Sequence, residues 1–134
     1  MRKLKGLILM LLISLSLFGF TACQGESGNH PATYEQITPQ QAKTIMDTKQ
    51  DYIIIDARTQ EEFDEGHIEG AIMIPEYEIK DKAEKELPDK DALILVYCRS
   101  GRRSKIASEE LVKIGYTNVK EFGGIIDWPY EIVK

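Results

Sequence analysis

The sequence predicts an α/β domain with a mainly parallel sheet covered by helices on both faces. Short apolar, β-branched runs recur along the chain, and stretches with apolar residues every three or four positions stand between them. Gly or Pro closes several of these segments, and strands alternating with helices in this way imply parallel pairing. Of the 134 residues, about 22 at the N-terminus read as a targeting segment, leaving enough chain for one domain over 34–134.

The elements follow in order. Thr38-Pro39-Gln40-Gln41 supplies an N-cap, a proline at the first helical position and Gln three residues after the cap; Ala42, Ile45 and Met46 then share one face. Tyr52 to Ile55, ending at Asp56, suits a strand buried on both sides. Thr59-Gln60-Glu61-Glu62 repeats the capping pattern, and Gly66 stops that short helix. Ala71 to Ile74 is a second strand, closed by Pro75. Ile79, Ala83 and Leu87 recur every four residues between Glu78 and Leu87, a helical stripe ended by Pro88. Ala92 to Tyr97 is the most continuous apolar run of the domain and the expected central strand. Ser104 to Ile114 sets Ala107, Leu111 and Ile114 on one helical face, with Gly115 as C-cap. Asn118 to Phe122 is a last strand before Gly123-Gly124 and an end containing Trp128 and Tyr130.

Composition excludes some functions. Arg2, Lys3 and Lys5 precede Cys23 and no acid does, so the part after the targeting segment carries 14 basic and 22 acidic side chains, a net charge of −8. Nucleic-acid binding needs a surplus of Lys and Arg to displace counterions, and this chain has the opposite balance. Two cysteines cannot build a disulfide scaffold, so the fold relies on its apolar core.

The N-terminus carries an address. Met1 to Lys5 is basic and Gly6 to Phe20 is uncharged, which predicts a secretion signal over residues 1–22. At 1.5 Å per residue that uncharged run spans only about 22 Å of a hydrocarbon core roughly 30 Å thick, which disfavours a permanent membrane helix. Phe20-Thr21-Ala22-Cys23 resembles the lipobox of bacterial lipoproteins, with Phe20 in place of the usual aliphatic residue. The resemblance implies cleavage before Cys23, lipid on its sulfur, and a protein held by acyl chains on the extracytoplasmic face of a bacterial membrane. The alternative is an ordinary signal peptide that leaves Cys23 free. Residues 23–33 then serve as lipidated cysteine and flexible tether, since Gln24 to Ala32 is polar and aperiodic with a reach of roughly 15–18 Å. With Cys23 so used, Cys98 is an unpaired thiol outside the cytoplasm, to be buried and inert or kept for its reactivity.

The segment Cys98-Arg99-Ser100-Gly101-Arg102-Arg103-Ser104 leads from the predicted central strand into a helix. Unpaired N–H groups and the positive dipole end at a helix start hold an anion or thiolate. Gly101 lets the backbone curl into an anion-binding nest, and Arg99, Arg102 and Arg103 add three cations to an acidic domain. Together these favour the ionised sulfur and a nucleophilic Cys98. A buried structural cysteine at a strand end is the plainer alternative. His30 and His67 stand apart from Cys98 and from each other, so no metal site is expected.

From Tyr34 to Tyr130 the chain resembles the rhodanese-homology family of sulfurtransferases. The resemblance rests on Ile55-Asp56-Ala57-Arg58, on Glu62 to Ala71 with its Gly66-His67-Ile68 core, on Ile74-Pro75, on the Cys98–Arg103 loop, and on Gly115-Tyr116 through Gly123-Gly124-Ile125 to Trp128. Met73 and Phe122 depart from the family's common Asn and Leu. What the resemblance implies is a persulfide on Cys98, formed from thiosulfate or a similar small anionic donor and discharged to a thiol or cyanide, without metal or organic cofactor. Arg99, Ser100, Gly101, Arg102 and Arg103 are then the substrate-binding set, with Arg103 alternatively folded back on Asp56 or a nearby carboxylate. Asp56 and Arg58 are expected to support the site from the strand end that faces it; for Arg58 an ion pair with Glu61 or Glu62 is the preferred reading. His67 and Trp128 read as structural.

Three other readings stay open. Phosphatases and arsenate reductases of this fold carry a longer loop with Arg six positions after the cysteine, where this chain has Ser104. A non-catalytic binding module is a second reading, although Cys98 is retained. Thiol redox work would require an external resolving partner. The donor, the acceptor, any protein partner and the oligomeric state are not readable from the sequence.

Overall fold

The computed structural model describes residues 33–134; the signal segment, Cys23 and nearly all of the tether lie outside the described residues. The elements are β1 (Glu35–Gln36), α1 (Pro39–Thr48), β2 (Ile53–Asp56), α2 (Gln60–Glu65), β3 (Ala71–Met73), a 3₁₀ turn (Glu76–Glu78) running into α3 (Ile79–Glu86), β4 (Ile94–Cys98), α4 (Arg102–Lys113), β5 (Val119–Gly124) and a closing 3₁₀ turn (Ile125–Asp127). The strands form one sheet in the order β1-β5-β4-β2-β3, with every pairing parallel and β4 in the middle.

Local sequence explains the helix starts. Thr38 and Thr59 each close a capping box, with Gln41 and Glu62 reaching back to the cap N–H. Each such cap contributes about 0.5–2 kcal/mol. α4 starts at Arg102, two residues before the expected Ser104, because Gly101 in the left-handed region (φ 101°) turns the chain directly into the helix. β5 runs two residues beyond the expected Phe122 and takes in Gly123-Gly124, with Gly124 in register with Cys98. β1 was not visible as a strand in the sequence; two residues show no periodicity, and pairing with β5 alone orders them.

Strand alternation divides the core in two. Ile55, Ile94, Val96 and Cys98 face α3 and α4, where Ala83, Leu87, Ala107, Leu111 and Tyr116 pack. Ile54, Leu95, Tyr97 and Phe122 face α1, packing on Ala42, Ile45 and Met46, with Trp128 across the end. Helices therefore cover both faces. The Tyr116 hydroxyl, buried against the α3 C-terminus, donates to the Leu87 carbonyl at 2.6 Å, an acceptor that the helix end leaves open, and lies 2.9 Å from the Ala83 carbonyl that the Leu87 N–H already occupies. No helix among the described residues is long and apolar enough to cross a membrane.

Candidate active site

Cys98 is the last residue of β4, on the α3/α4 face, and only 1% exposed. It is the one free cysteine among the described residues. The strand delivers the sulfur to the start of α4, and Gly101 bends back so that its N–H donates to Cys98 Sγ at 3.0 Å. A side chain at Gly101 meets nothing closer than 3.7 Å, so glycine is required there by its backbone angle rather than by crowding. An N–H aimed at sulfur stabilises a thiolate more than a thiol.

The loop rests on the end of β5. Gly124 lies flat beneath it: a Cβ at that position would sit 2.0 Å from the Arg99 carbonyl oxygen and 2.5 Å from Ser100 Cα. The Ile126 N–H donates to the same Arg99 carbonyl at 3.2 Å, fastening the closing turn to the loop. Ser104, fully buried in the first turn of α4, places its hydroxyl 3.0 Å from Gly101 O and 2.6 Å from Glu121 Oε1.

The three arginines differ. Arg103 forms a two-pronged pair with Glu62 of α2, Nη1 to Oε2 at 2.6 Å and Nη2 to Oε1 at 2.7 Å. Its hydrogen bonds hold the Glu62 carboxyl down at about 2, helped by the Thr59 N–H against the cost of burial. The Arg103 guanidinium is in turn held charged, first by Glu62 and to a lesser degree by attraction to Cys98 and Glu76. The nearby carboxylate that receives Arg103 is therefore Glu62 and not Asp56. Arg99 and Arg102 are exposed and belong to no ion pair among the described residues.

Asp56 and Arg58 are placed otherwise than expected. Asp56 pairs in register with Tyr97, so its side chain lies on the α1 face, across the sheet from Cys98. Arg58 folds back on it, Nε to Oδ1 at 2.9 Å and Nη2 to Oδ2 at 2.7 Å, and also donates to Gly66 O at 2.7 Å. The partner is thus Asp56 rather than Glu61 or Glu62, because Glu62 is occupied by Arg103. The Tyr97 hydroxyl donates to Asp56 Oδ2 at 2.6 Å and accepts from the Ile68 N–H. Burial and the neighbouring Asp56 push the Tyr97 phenol far up, so it stays a donor. This cluster pins β2, β4 and the turn after α2 and touches no reacting atom. His67 accepts the same structural description: Nδ1 lies 3.0 Å from Phe63 O and the ring stacks on Phe63 at 3.7 Å. Trp128 packs between Phe122 and Tyr130 and donates to Glu131 O.

Sequence reasoning missed Glu121, 3% exposed, whose Oε1 accepts from the Gly123 N–H at 2.8 Å and from Ser104. The signal was its inward position in the alternation of β5, next to Val119 and opposite in facing to Phe122. A concavity of about 680 Å³, lined by Met46, Tyr52, Trp128 and Tyr130 among others, lies on the α1 face away from Cys98. Size does not decide the matter. Among the described residues, nucleophile, directed N–H, helix start and cations converge only at Cys98. No group of acids, histidines and cysteines among the described residues is arranged to hold a metal ion.

A cysteine at the carboxyl end of the central parallel strand, curled through a left-handed glycine into a helix start, defines a cysteine-loop α/β domain. Residues 38–129 match the model of the Rhodanese-like domain, and the chain belongs to that family. Thiosulfate sulfurtransferase PspE of Escherichia coli (strain K12) is 42% identical over 80 residues, covering 60% of this chain and 77% of that protein. Thiosulfate sulfurtransferase GlpE of Coxiella burnetii is 32% identical over 96 residues, covering 71% and 87% respectively. Among solved structures, a rhodanese with anions from E. coli superposes with a TM-score of 0.59 at 40% identity, covering 62% of this chain and 98% of that one. At the level of the family these relatives support sulfurtransferase activity, with a sulfur donor and acceptor as substrates in general.

Proposed function

We propose that the chain transfers a sulfane sulfur from thiosulfate or a similar anionic donor to a thiol through a persulfide on Cys98. The Cys98 thiolate attacks the outer sulfur of thiosulfate. A new S–S bond forms as the donor's S–S bond breaks, and sulfite leaves with the electron pair. An acceptor thiolate, or cyanide, then attacks the terminal sulfur and returns Cys98 as thiolate. Splitting the transfer into two displacements is covalent catalysis. The observation that carries this reading is the Gly101 N–H directed at Cys98 Sγ at 3.0 Å. Arg99 and Arg102, exposed and in no ion pair among the described residues, suit the anionic donor and departing sulfite, while Arg103 is bound to Glu62 and fixes the loop to α2.

Intact mass of the purified chain before and after thiosulfate tests the first half-reaction. A gain of one sulfur is expected, reversed by cyanide and absent in Cys98→Ser; no gain from thiosulfate or other sulfane donors by a folded protein with a free thiol overturns it. Arg102→Ala is expected to slow anionic donors more than neutral ones, and equal losses would remove its electrostatic role.

We further propose that residues 1–22 are removed and that lipid on Cys23 holds the domain at the extracytoplasmic membrane face. The basic start, the 15-residue uncharged run and the small residues before Cys23 support this. Radiolabelled palmitate should enter the chain and fractionate with membranes, and Cys23→Ala should abolish both; label retained in Cys23→Ala would refute it.

A further inference from the structure

One buried acid has no part in the displacement described above. Glu121 is 3% exposed, forms no ion pair among the described residues, and borders a concavity that Ser100, Gly101, Lys105 and Gly123 also line. A buried carboxylate without a cation is unfavourable unless hydrogen bonds compensate it. Both its donors belong to the supports of the Cys98 loop. One is the Gly123 N–H, at the point where β5 turns under the loop; the other is the Ser104 hydroxyl, in the first turn of α4.

From Ser104 the connection reaches the sulfur in two steps. The single hydroxyl proton, given to Glu121 Oε1 at 2.6 Å, is shared with Gly101 O at 3.0 Å, and the N–H of that same glycine donates to Cys98 Sγ. One carboxylate oxygen, Glu121 Oε1, thus ties together the floor of the loop and the helix start whose glycine addresses the nucleophile. An apolar residue would fill the space but hold neither.

We propose that Glu121 is the positioning residue of the sulfur-transfer loop, fixing the Gly101 N–H on Cys98 through Ser104 and Gly123. Its link to catalysis rests on the proposed transfer reaction; its link to the thiol does not. The other charged groups around the sulfur are Arg99, Arg102 and Arg103 from the loop and α4, Glu62 of α2 behind Arg103, and Glu76 of the turn before α3.

The test compares the purified chain with Glu121→Leu, Glu121→Gln and Ser104→Ala, each checked by thermal melting. Two rates are read: alkylation of Cys98 by iodoacetamide at neutral pH, and single-turnover sulfur uptake from thiosulfate. Glu121→Leu is expected to slow both by about tenfold with little change in thiosulfate KM, because the directed N–H is lost. Glu121→Gln keeps an acceptor oxygen and should leave alkylation at or above the native rate. Ser104→Ala should fall between. If charge alone mattered, Leu and Gln would both accelerate alkylation by removing a negative neighbour, and that outcome overturns the proposal. So do native rates in Glu121→Leu, or a Gln variant as slow as Leu. Should Glu121→Leu fail to fold, Ser104→Ala decides, and a native alkylation rate in it refutes the positioning role. If the native chain takes up no sulfur while the alkylation pattern holds, the transfer reaction fails and the positioning role stands.

Discussion

Gly124→Ala is the substitution whose effect can be worked most directly from the structure. Its φ of −119° is open to any residue, so alanine adds no backbone strain and the whole effect is steric. The new Cβ would stand 2.0 Å from Arg99 O, and reaching the 3.4 Å of ordinary contact moves the loop by about 1.4 Å. Arg99 follows Cys98 directly, so a shift of that size takes the Gly101 N–H out of hydrogen-bond range of a sulfur now 3.0 Å away. A hydrogen bond to a charged acceptor is worth about 1.5–3 kcal/mol, which corresponds to roughly a 10- to 150-fold loss in the rate of sulfur uptake. Overpacking adds about 1–3 kcal/mol of destabilisation, read separately by denaturant unfolding. The assay is single-turnover sulfur uptake followed by intact mass, with Gly101→Ala beside it as a case where backbone angle and not crowding is disturbed. A Gly124→Ala protein of native stability, transferring sulfur within about twofold of native, would refute the close approach and the alignment built on it.

Other substitutions test the scaffold. Asp56→Ala strands the buried Arg58 guanidinium and leaves the Tyr97 hydroxyl without its acceptor; urea unfolding should show a loss of about 3–5 kcal/mol, and a loss under 1 kcal/mol would contradict the pairing. The Glu62–Arg103 pair has a pH signature. Since the Glu62 carboxyl is depressed from 4.5 to about 2, its contribution is whole above the unfolded value and drains away as pH falls from about 4.5 toward 2. With the pair partly exposed and screened, the contribution is about 1–2 kcal/mol, and Glu62→Gln should flatten that part of the stability–pH curve. Ser108 carries a buried hydroxyl with no hydrogen-bond partner among the described residues, so Ser108→Ala should be neutral or stabilising by up to about 1 kcal/mol in thermal unfolding; a clear loss would reveal a partner.

Much of the fold was legible because its causes are local. Thr38 and Thr59 announce their helices through side chains three residues from their partners, and the Ile94–Cys98 run states its own burial. The loop was legible for the same reason, since cysteine, glycine and arginines are contiguous. What could not be read depends on contacts distant in sequence. Arg103 meets Glu62 across 41 positions, and only the packing of α2 beside α4 selects that carboxylate over Asp56. The sequence points Arg58 at the following helix, but the end of β2 turns it back on Asp56 two residues earlier. Glu121 reads as an ordinary polar residue in a half-exposed strand until β5 is seen pressed against α4 with that side chain inward.

The strand order carries a consequence for how the chain is made. β1 pairs only with β5, Glu35 lying beside Lys120, and α1 packs on Phe122 and Trp128. Synthesised from its N-terminus, the polypeptide acquires its first strand long before that strand's neighbour exists, whereas α1 meets Ile54 of β2 almost at once. β1 waits, unpaired, for β5, so this strand pairing is the most distant in sequence and closes the longest loop of the sheet.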